Sequence, residues 1–362
     1  MNPLSAVYGT AATWRRRWYA ARPSRPRRLD RPVVSVGSLR VGGSGKTPVV
    51  AHLARLLLER GERPSILIRG YRRQRASSGV TVVSDGTRVR ADLASSGDEA
   101  LMLARALPGV PVLVGADRFA SGVTAERELG ATVHLLDDGF QHVQLARTVD
   151  LLLVDERDMR EAVLPAGWLR EPLKNAAVAH AALVTAAGEA TVADVVRGLG
   201  VAEGFRIVRS IHSPRVLARV STDRSVRLQA DLESPAKAGH YADRDEPVIA
   251  VAGIARPDRF FSDLASAGWR VGRTLVFPDH HPFSERDIRR IADQARACGA
   301  SLVLTTEKDA VRLEGHDLAG LTVAAVPLTA SIEPAAEFSR WLIERLHARR
   351  EQPFAAGAAG TR

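Results

Sequence analysis

The stretch Val33-Val-Ser-Val-Gly-Ser-Leu-Arg-Val-Gly-Gly-Ser-Gly-Lys-Thr-Pro48 decides how the rest of the chain is read. An apolar, β-branched run over residues 33–36 feeds a glycine-dense turn, and a helical pattern opens at Thr47. Gly42, Gly43 and Gly45 carry no side chains, so with Ser44 between them the backbone can fold tightly and aim its N–H groups at a phosphate. Lys46 supplies a point charge for β- and γ-phosphates, and Thr47 offers a hydroxyl to Mg2+. The helix that follows brings the positive end of its dipole to the same spot. These are the parts of a phosphate-binding loop. The usual pattern G-x-x-x-x-G-K-[ST] has glycine where this chain has Arg40, so Gly37 is expected to carry the tight turn instead. Such a loop implies a nucleotide and leaves the acceptor open.

Working outward, the chain has 362 residues, enough for two domains of ordinary size, and 45% of them are hydrophobic, which excludes global disorder. A net charge of +10 points to an anionic partner: nucleic acid, an acidic membrane surface or a phosphorylated substrate. The single cysteine, Cys298, excludes an internal disulfide framework and a cysteine-rich metal site, as suits a reducing cytoplasm. No apolar run approaches the length of a membrane span, and the N-terminus lacks the order of a secretory signal.

At the N-terminus, Leu4, Tyr8, Ala11, Trp14 and Trp18 recur at helical spacing with Arg15, Arg16 and Arg17 between the tryptophans. That composition fits a helix lying in a membrane interface, or one docked on its own domain with a solvated basic tail. Pro23, Pro26 and Pro32 end the helix and lead to the first strand. Strand and helix patterns then alternate to about residue 200, which predicts a parallel sheet covered on both faces with ligands at the strands' carboxyl ends. The expected fold is α/β: a P-loop kinase-like parallel-sheet domain at 32–203 and a smaller α/β domain at 248–349. Before them lies the basic helix and linker at 1–31; between them come a β linker at 204–228 and a variable loop at 229–247. The closing helix at 335–349 is assigned to the second domain, and residues 350–362, rich in Ala and Gly, to a disordered tail.

Four constellations could carry chemistry. Asp137 and Asp138 end the apolar run 133–136, where a carboxylate beside a P-loop holds Mg2+; the alternative is a polar turn. Asp98 opens a predicted helix, as a cap or as the base that takes a proton from an acceptor hydroxyl. His280 and His281 follow a second-domain strand, as surface residues, a weak metal pair, or groups that reach the nucleotide if the domains close. Arg170 and Glu171 lie in a loop taken to follow the last strand of the first sheet, where the arginine could hold substrate phosphate or the loop could be a plain surface turn.

Taken with Arg69-Gly-Tyr, Gly97-Asp-Glu, Asp137-Asp-Gly-Phe-Gln-His, Gly167-Trp-Leu-Arg-Glu-Pro, Ala252-Gly-Ile-Ala-Arg-Pro-Asp-Arg-Phe, Phe277-Pro-Asp-His and Thr305-Thr-Glu-Lys-Asp, the chain resembles the tetraacyldisaccharide 4'-kinase family from about residue 4 to residue 345. Ser38 stands where that family often has Asn. The resemblance implies ATP- and Mg2+-dependent phosphorylation of the 4'-hydroxyl of a tetraacyldisaccharide 1-phosphate in lipid A biosynthesis. It implies Asp98 as general base with His280 as its partner, Lys46 as a catalytic cation, and Thr47, Glu99, Asp137 and Asp138 as Mg2+ candidates. Arg170 and Glu171 become substrate-binding candidates. It further implies a peripheral enzyme on the cytoplasmic face of the inner membrane, anchored by the N-terminal helix, with no nucleic acid and no obligate protein partner. The alternative is a P-loop ATPase or GTPase acting as a switch or motor without lipid phosphorylation.

Overall fold

A computed structural model describes residues 2–22, 24–70, 73–75, 79–185, 189–217, 246–318 and 320–351. Pro23, Tyr71, Arg72, residues 76–78, 186–188, 218–245 and 319 and the tail beyond residue 351 lie outside the described residues, and with them the end of the expected linker and most of the loop 229–247.

Helix α1 (Pro3–Ala20) starts with proline at its first position and Asn2 as cap, whose Oδ1 accepts from Leu4 N at 3.0 Å. Strand β1 (Val33–Ser38) leads into α2 (Lys46–Glu59), β2 (Pro64–Ile68) and β3 (Thr81–Asp85). The short α3 (Leu93–Ser96) and α4 (Asp98–Ala106) follow, then β4 (Pro111–Val114), α5 (Arg118–Leu129) and β5 (Val133–Asp137). Strands β6 (Val149–Asp155) and β7 (Ala181–Thr185), helix α6 (Glu189–Leu199) and strand β8 (Glu203–Ile211) complete this run. The sheet therefore continues past β6, which was expected to be its last strand before the Arg170 loop.

Two compact units divide the chain: Met1–Val208 with Ala330–Arg362, and Arg209–Thr329. The second unit contains β9 (Arg215–Val216), β10 (Val248–Ala252), α7 (Pro257–Ser266), β11 (Val271–Val276), α8 (Glu285–Ala297), β12 (Leu302–Thr306), α9 (Glu307–Leu313) and β13 (Thr322–Val326). Strand β14 (Leu328–Glu333) then returns the chain to the first unit, where α10 (Ala335–Glu351) ends the described residues. Here the structure corrects the expected boundary. The closing helix belongs to the first unit, because Phe338, Trp341, Leu342 and Leu346 bury among Val149, Leu151, Leu183 and Phe205. The expected linker is likewise partly sheet, since β8 already pairs with β7 in parallel.

The first unit's sheet has the order β14-β8-β7-β6-β1-β5-β2-β4-β3. Strands β8 to β4 in that order pair in parallel, and β3 is antiparallel to β4. Alternate residues serve opposite faces, as the pleat demands. Val34, Val36, Leu135, Leu151 and Leu153 join one apolar cluster; Val33 and Leu136 join a second, and Leu152 and Val154 a third. Chain order reverses at β1: β5 and β2 lie on one side, β6 and β7 on the other. The carboxyl end of β1 is thus the topological switch point, where open α/β sheets bind ligands. The second unit has a smaller sheet, β11-β10-β12-β13-β9, parallel except for β9 against β13.

Candidate active site

Between β1 and α2 the loop turns at Gly42 (φ 80°) and Gly45 (φ 82°), conformations that favour glycine. Gly45 caps α2 without a side-chain bond, and a Cβ placed on it would meet nothing within 4 Å, so the helix's first N–H groups face an open cradle. Gly37 has a different part from the one expected. It lies inside β1, and a Cβ there would stand 2.4 Å from Phe140 Cβ and 2.6 Å from Phe140 N. Close packing against the turn after β5 requires glycine at 37; the left-handed turn falls to Gly42. Arg40, in the position usually held by glycine, bonds Asp158 at 3.1 Å and Glu161 at 2.9 Å.

Lys46 Nζ donates to Ser44 Oγ at 2.9 Å and to Ser38 Oγ at 3.4 Å, and pairs with Asp138 Oδ1 at 3.3 Å. Thr47 Oγ1 donates to Asp137 Oδ2 at 3.2 Å. This arrangement follows from register: Val36 sits opposite Asp137, so β1 and β5 end side by side. Burial, and after it the Glu99 carboxylate, push Asp137 up to about 7 against the pull of Lys46. Partial burial acts the same way on Asp138, but Lys46 and Arg170 outweigh it and hold its carboxyl below the ordinary range. Arg170 Nη1 reaches Asp138 Oδ2 at 2.8 Å and Gln141 Oε1 at 3.0 Å. Asp98 is the buried first residue of α4, behind the cap Gly97, and its Oδ1 accepts from Glu99 N at 2.9 Å.

Thr47, Asp137 and Glu99 offer hard oxygen donors around a crowded negative charge, a donor set that fits Mg2+. Magnesium commonly takes one or two carboxylates and completes its shell with phosphate and water.

The chain matches the family described as tetraacyldisaccharide-1-P 4'-kinase over residues 1–347. A tetraacyldisaccharide 4'-kinase of Geobacter metallireducens is 39% identical over 91% of this chain and 93% of its own length. One of a Bradyrhizobium strain is 38% identical over 99% and 95%. The chain belongs to the tetraacyldisaccharide-1-P 4'-kinase family. A solved LpxK from Aquifex aeolicus in complex with ATP aligns with a TM-score of 0.70 at 29% identity, covering 95% of this chain and 98% of that one. The fold is accordingly the P-loop kinase α/β fold of tetraacyldisaccharide-1-P 4'-kinases, and the switch or motor alternative gives way to it.

Within this 4'-kinase chain Glu171 takes a structural place that its motif did not reveal. It is 5% exposed, and Arg16 of α1 grips both of its oxygens at 2.8 Å while Asn175 Nδ2 adds a bond at 2.9 Å. That leaves Arg170 as the substrate-binding candidate of the pair. In the second unit, His280 has φ 61°, donates its N–H to Gly253 O at 3.2 Å, and places Nε2 3.2 Å from Lys308 Nζ. Two residues near the carboxylates carried no assigned role in the sequence: Gln141, which also donates to Ser38 O at 3.1 Å, and Arg118. Burial, then Arg69, lower Arg118 to about 10, with Asp138 and Asp137 opposing. The available signal was position, since Arg118 opens a helix just after the carboxyl end of β4.

Proposed function

We infer that this protein transfers the γ-phosphate of ATP to the 4'-hydroxyl of a tetraacyldisaccharide 1-phosphate. The observation that carries this reading is a family match over nearly the whole chain, joined to a glycine loop whose Lys46 and Thr47 meet Asp138 and Asp137. Phosphoryl transfer needs positioning and charge neutralisation more than covalent chemistry. The loop N–H groups and Lys46 hold the phosphates, and Arg170 adds positive charge on the Asp138 side. Thr47, Asp137 and Glu99 would hold Mg2+, with Asp138 beside them; the ion supplies charge neutralisation to the phosphate oxygens. Asp98 takes the proton of the acceptor hydroxyl as its oxygen bonds to the γ-phosphorus and the bond to the β-phosphate oxygen breaks, releasing ADP. His280 is proposed to assist Asp98.

The exposed apolar face of α1 supports a place at a membrane surface, proposed here to be the cytoplasmic face of the inner membrane. The helix packs on its own unit through Gly9, Thr13 and Arg16, while Leu4, Val7, Tyr8, Trp14 and Trp18 remain exposed. The two readings of this helix are therefore compatible: one face docks, the other presents an apolar stripe with Arg15, Arg17 and Arg22 exposed nearby. No described helix is long and apolar enough to cross a membrane.

Asp98→Asn tests the base. Transfer should fall by about a hundredfold or more while ATP binding, read by calorimetry, stays within a few-fold of wild type. Equal loss of ATP binding would remove Asp98 from that role.

A further inference from the structure

Arg40 stands where a phosphate-binding loop usually has glycine, and its surroundings show what the side chain does there. Residues 39–41 run beside 168–170. Val41 N donates to Trp168 O at 2.9 Å and Arg170 N to Leu39 O at 2.6 Å, with Arg40 and Leu169 bridged antiparallel. Leu169 is bonded on its other side as well, donating its N–H to Ala162 O at 3.0 Å and accepting from Leu164 N at 2.9 Å. Its buried side chain shares an apolar cluster with Leu39 and Phe140. The first limb of the nucleotide loop is thus one of three chain segments bonded side by side.

The Arg40 guanidinium ties this limb to the chain that follows β6. Its Nη1 donates to Asp158 Oδ1 at 3.1 Å and to Glu161 Oε2 at 2.9 Å, and its Cζ lies 5.7 Å from the centre of the Trp168 ring. Both carboxylates are themselves held. Asp158 is buried and its Oδ2 accepts from Asp155 N at 3.1 Å, while Glu161 Oε1 accepts from Ala162 N at 3.1 Å. Nη1 carries two hydrogens, and both are committed to these carboxylates. One cation against two carboxylates leaves no surplus positive charge to attract a phosphate. Ser38 links the limb to the site, since its Oγ donates to Arg40 O at 2.9 Å and accepts from Lys46 Nζ at 3.4 Å.

We propose that Arg40 is a positioning residue: clasped by Asp158 and Glu161, it holds the first limb of the nucleotide loop in its binding conformation without touching phosphate itself. The inference rests on the proposed part of residues 42–47 in holding phosphates and deepens it. If loss of the clasp leaves about a tenth of the molecules with a competent loop, apparent affinity falls about tenfold for any nucleotide the loop holds. Lys46 and the loop N–H groups are unchanged by that loss, so ATP once bound reacts at nearly the usual rate.

The test is calorimetric titration of the full chain with ATP and with ADP, each with Mg2+, joined to steady-state kinetics. Arg40→Met, which keeps a long side chain without its charge, should weaken ATP and ADP alike by about tenfold and raise KM for ATP to match, with kcat within about threefold. Arg40→Lys should recover part of the affinity. Glu161→Gln should weaken both nucleotides by about threefold and add little in the Arg40→Met background, because the two residues act as one clasp. A lowered urea midpoint with wild-type nucleotide affinity would make the clasp structural only and overturn the proposal. Loss of ATP affinity without loss of ADP affinity would make Arg40 a ligand of the γ-phosphate and overturn it too, as would additive losses in the double variant. Lys46→Ala separates this proposal from the reading beneath it. If that variant binds ATP as the wild type does, the loop does not hold phosphate and the proposal falls with that reading. If it loses ATP while Arg40→Met does not, only the proposal falls.

Discussion

Asp138 at φ 53° and His280 at φ 61° are the described non-glycine residues with left-handed backbone, and both stand in motifs marked for chemistry. Such strain persists where surrounding contacts over-determine it, as the Lys46 and Arg170 pairs do at Asp138. His142, in the same motif as Asp138, gives a prediction in pH. Burial first, then Arg118, lower its imidazole to about 4, so the unfolded chain takes up this proton near the ordinary 6.5 and the folded chain only near 4. Stability is therefore complete above pH 6.5 and declines as pH falls toward 4. In His142→Asn the slope of stability between pH 6.5 and 5 should flatten by at most about 1.4 kcal/mol per pH unit, read from urea midpoints. An unchanged slope would contradict this environment. At this scale legibility tracked locality. Asp137 and Asp138 could be read from strand and turn alone, whereas the need for glycine at 37 comes from Phe140, a contact across the sheet. His134 was silent for the same reason: fully buried, it links Ser65 Oγ at 2.7 Å to Glu126 Oε1 at 3.0 Å, a relay that ties β2, β5 and α5 together.

Helix α1 illustrates what an element's own pattern can and cannot tell. Its period was visible, yet the apolar stripe turned out to be the exposed face, because docking uses the small and polar side. Gly9 admits Pro172 to 3.1 Å of its would-be Cβ, Thr13 Oγ1 donates to Asn175 Oδ1 at 3.2 Å, and Arg16 lies 4.2 Å over the Phe140 ring while gripping Glu171. Removing one partner of a buried pair leaves the other charge stranded. Arg16→Ala should thus weaken α1 docking by about 3 kcal/mol, seen as faster hydrogen exchange in α1 with the β1 and β5 amides still protected. The paired change Arg16→Met with Glu171→Leu should restore much of the protection. Unchanged exchange in Arg16→Ala would show that the pair does not hold the helix.

For the whole molecule, the α/β class and the place of the nucleotide loop were legible because each βα step is local. The return of β14 and α10 to the first unit was not, since the pattern of 335–349 names a helix without naming the surface that covers it. The net charge of +10 and the exposed stripe of α1 together predict attraction to anionic bilayers. Trp14→Ala with Trp18→Ala should reduce sedimentation with phosphatidylglycerol vesicles on the order of tenfold or more while leaving ATP binding intact. Equal sedimentation of the variant would place membrane contact elsewhere. The central claim is tested most directly by incubating the full chain with γ-labelled ATP, Mg2+ and tetraacyldisaccharide 1-phosphate in detergent, with Lys46→Ala beside it. The account predicts label in a bis-phosphorylated lipid and its loss in the variant; free labelled phosphate with no labelled lipid would contradict it.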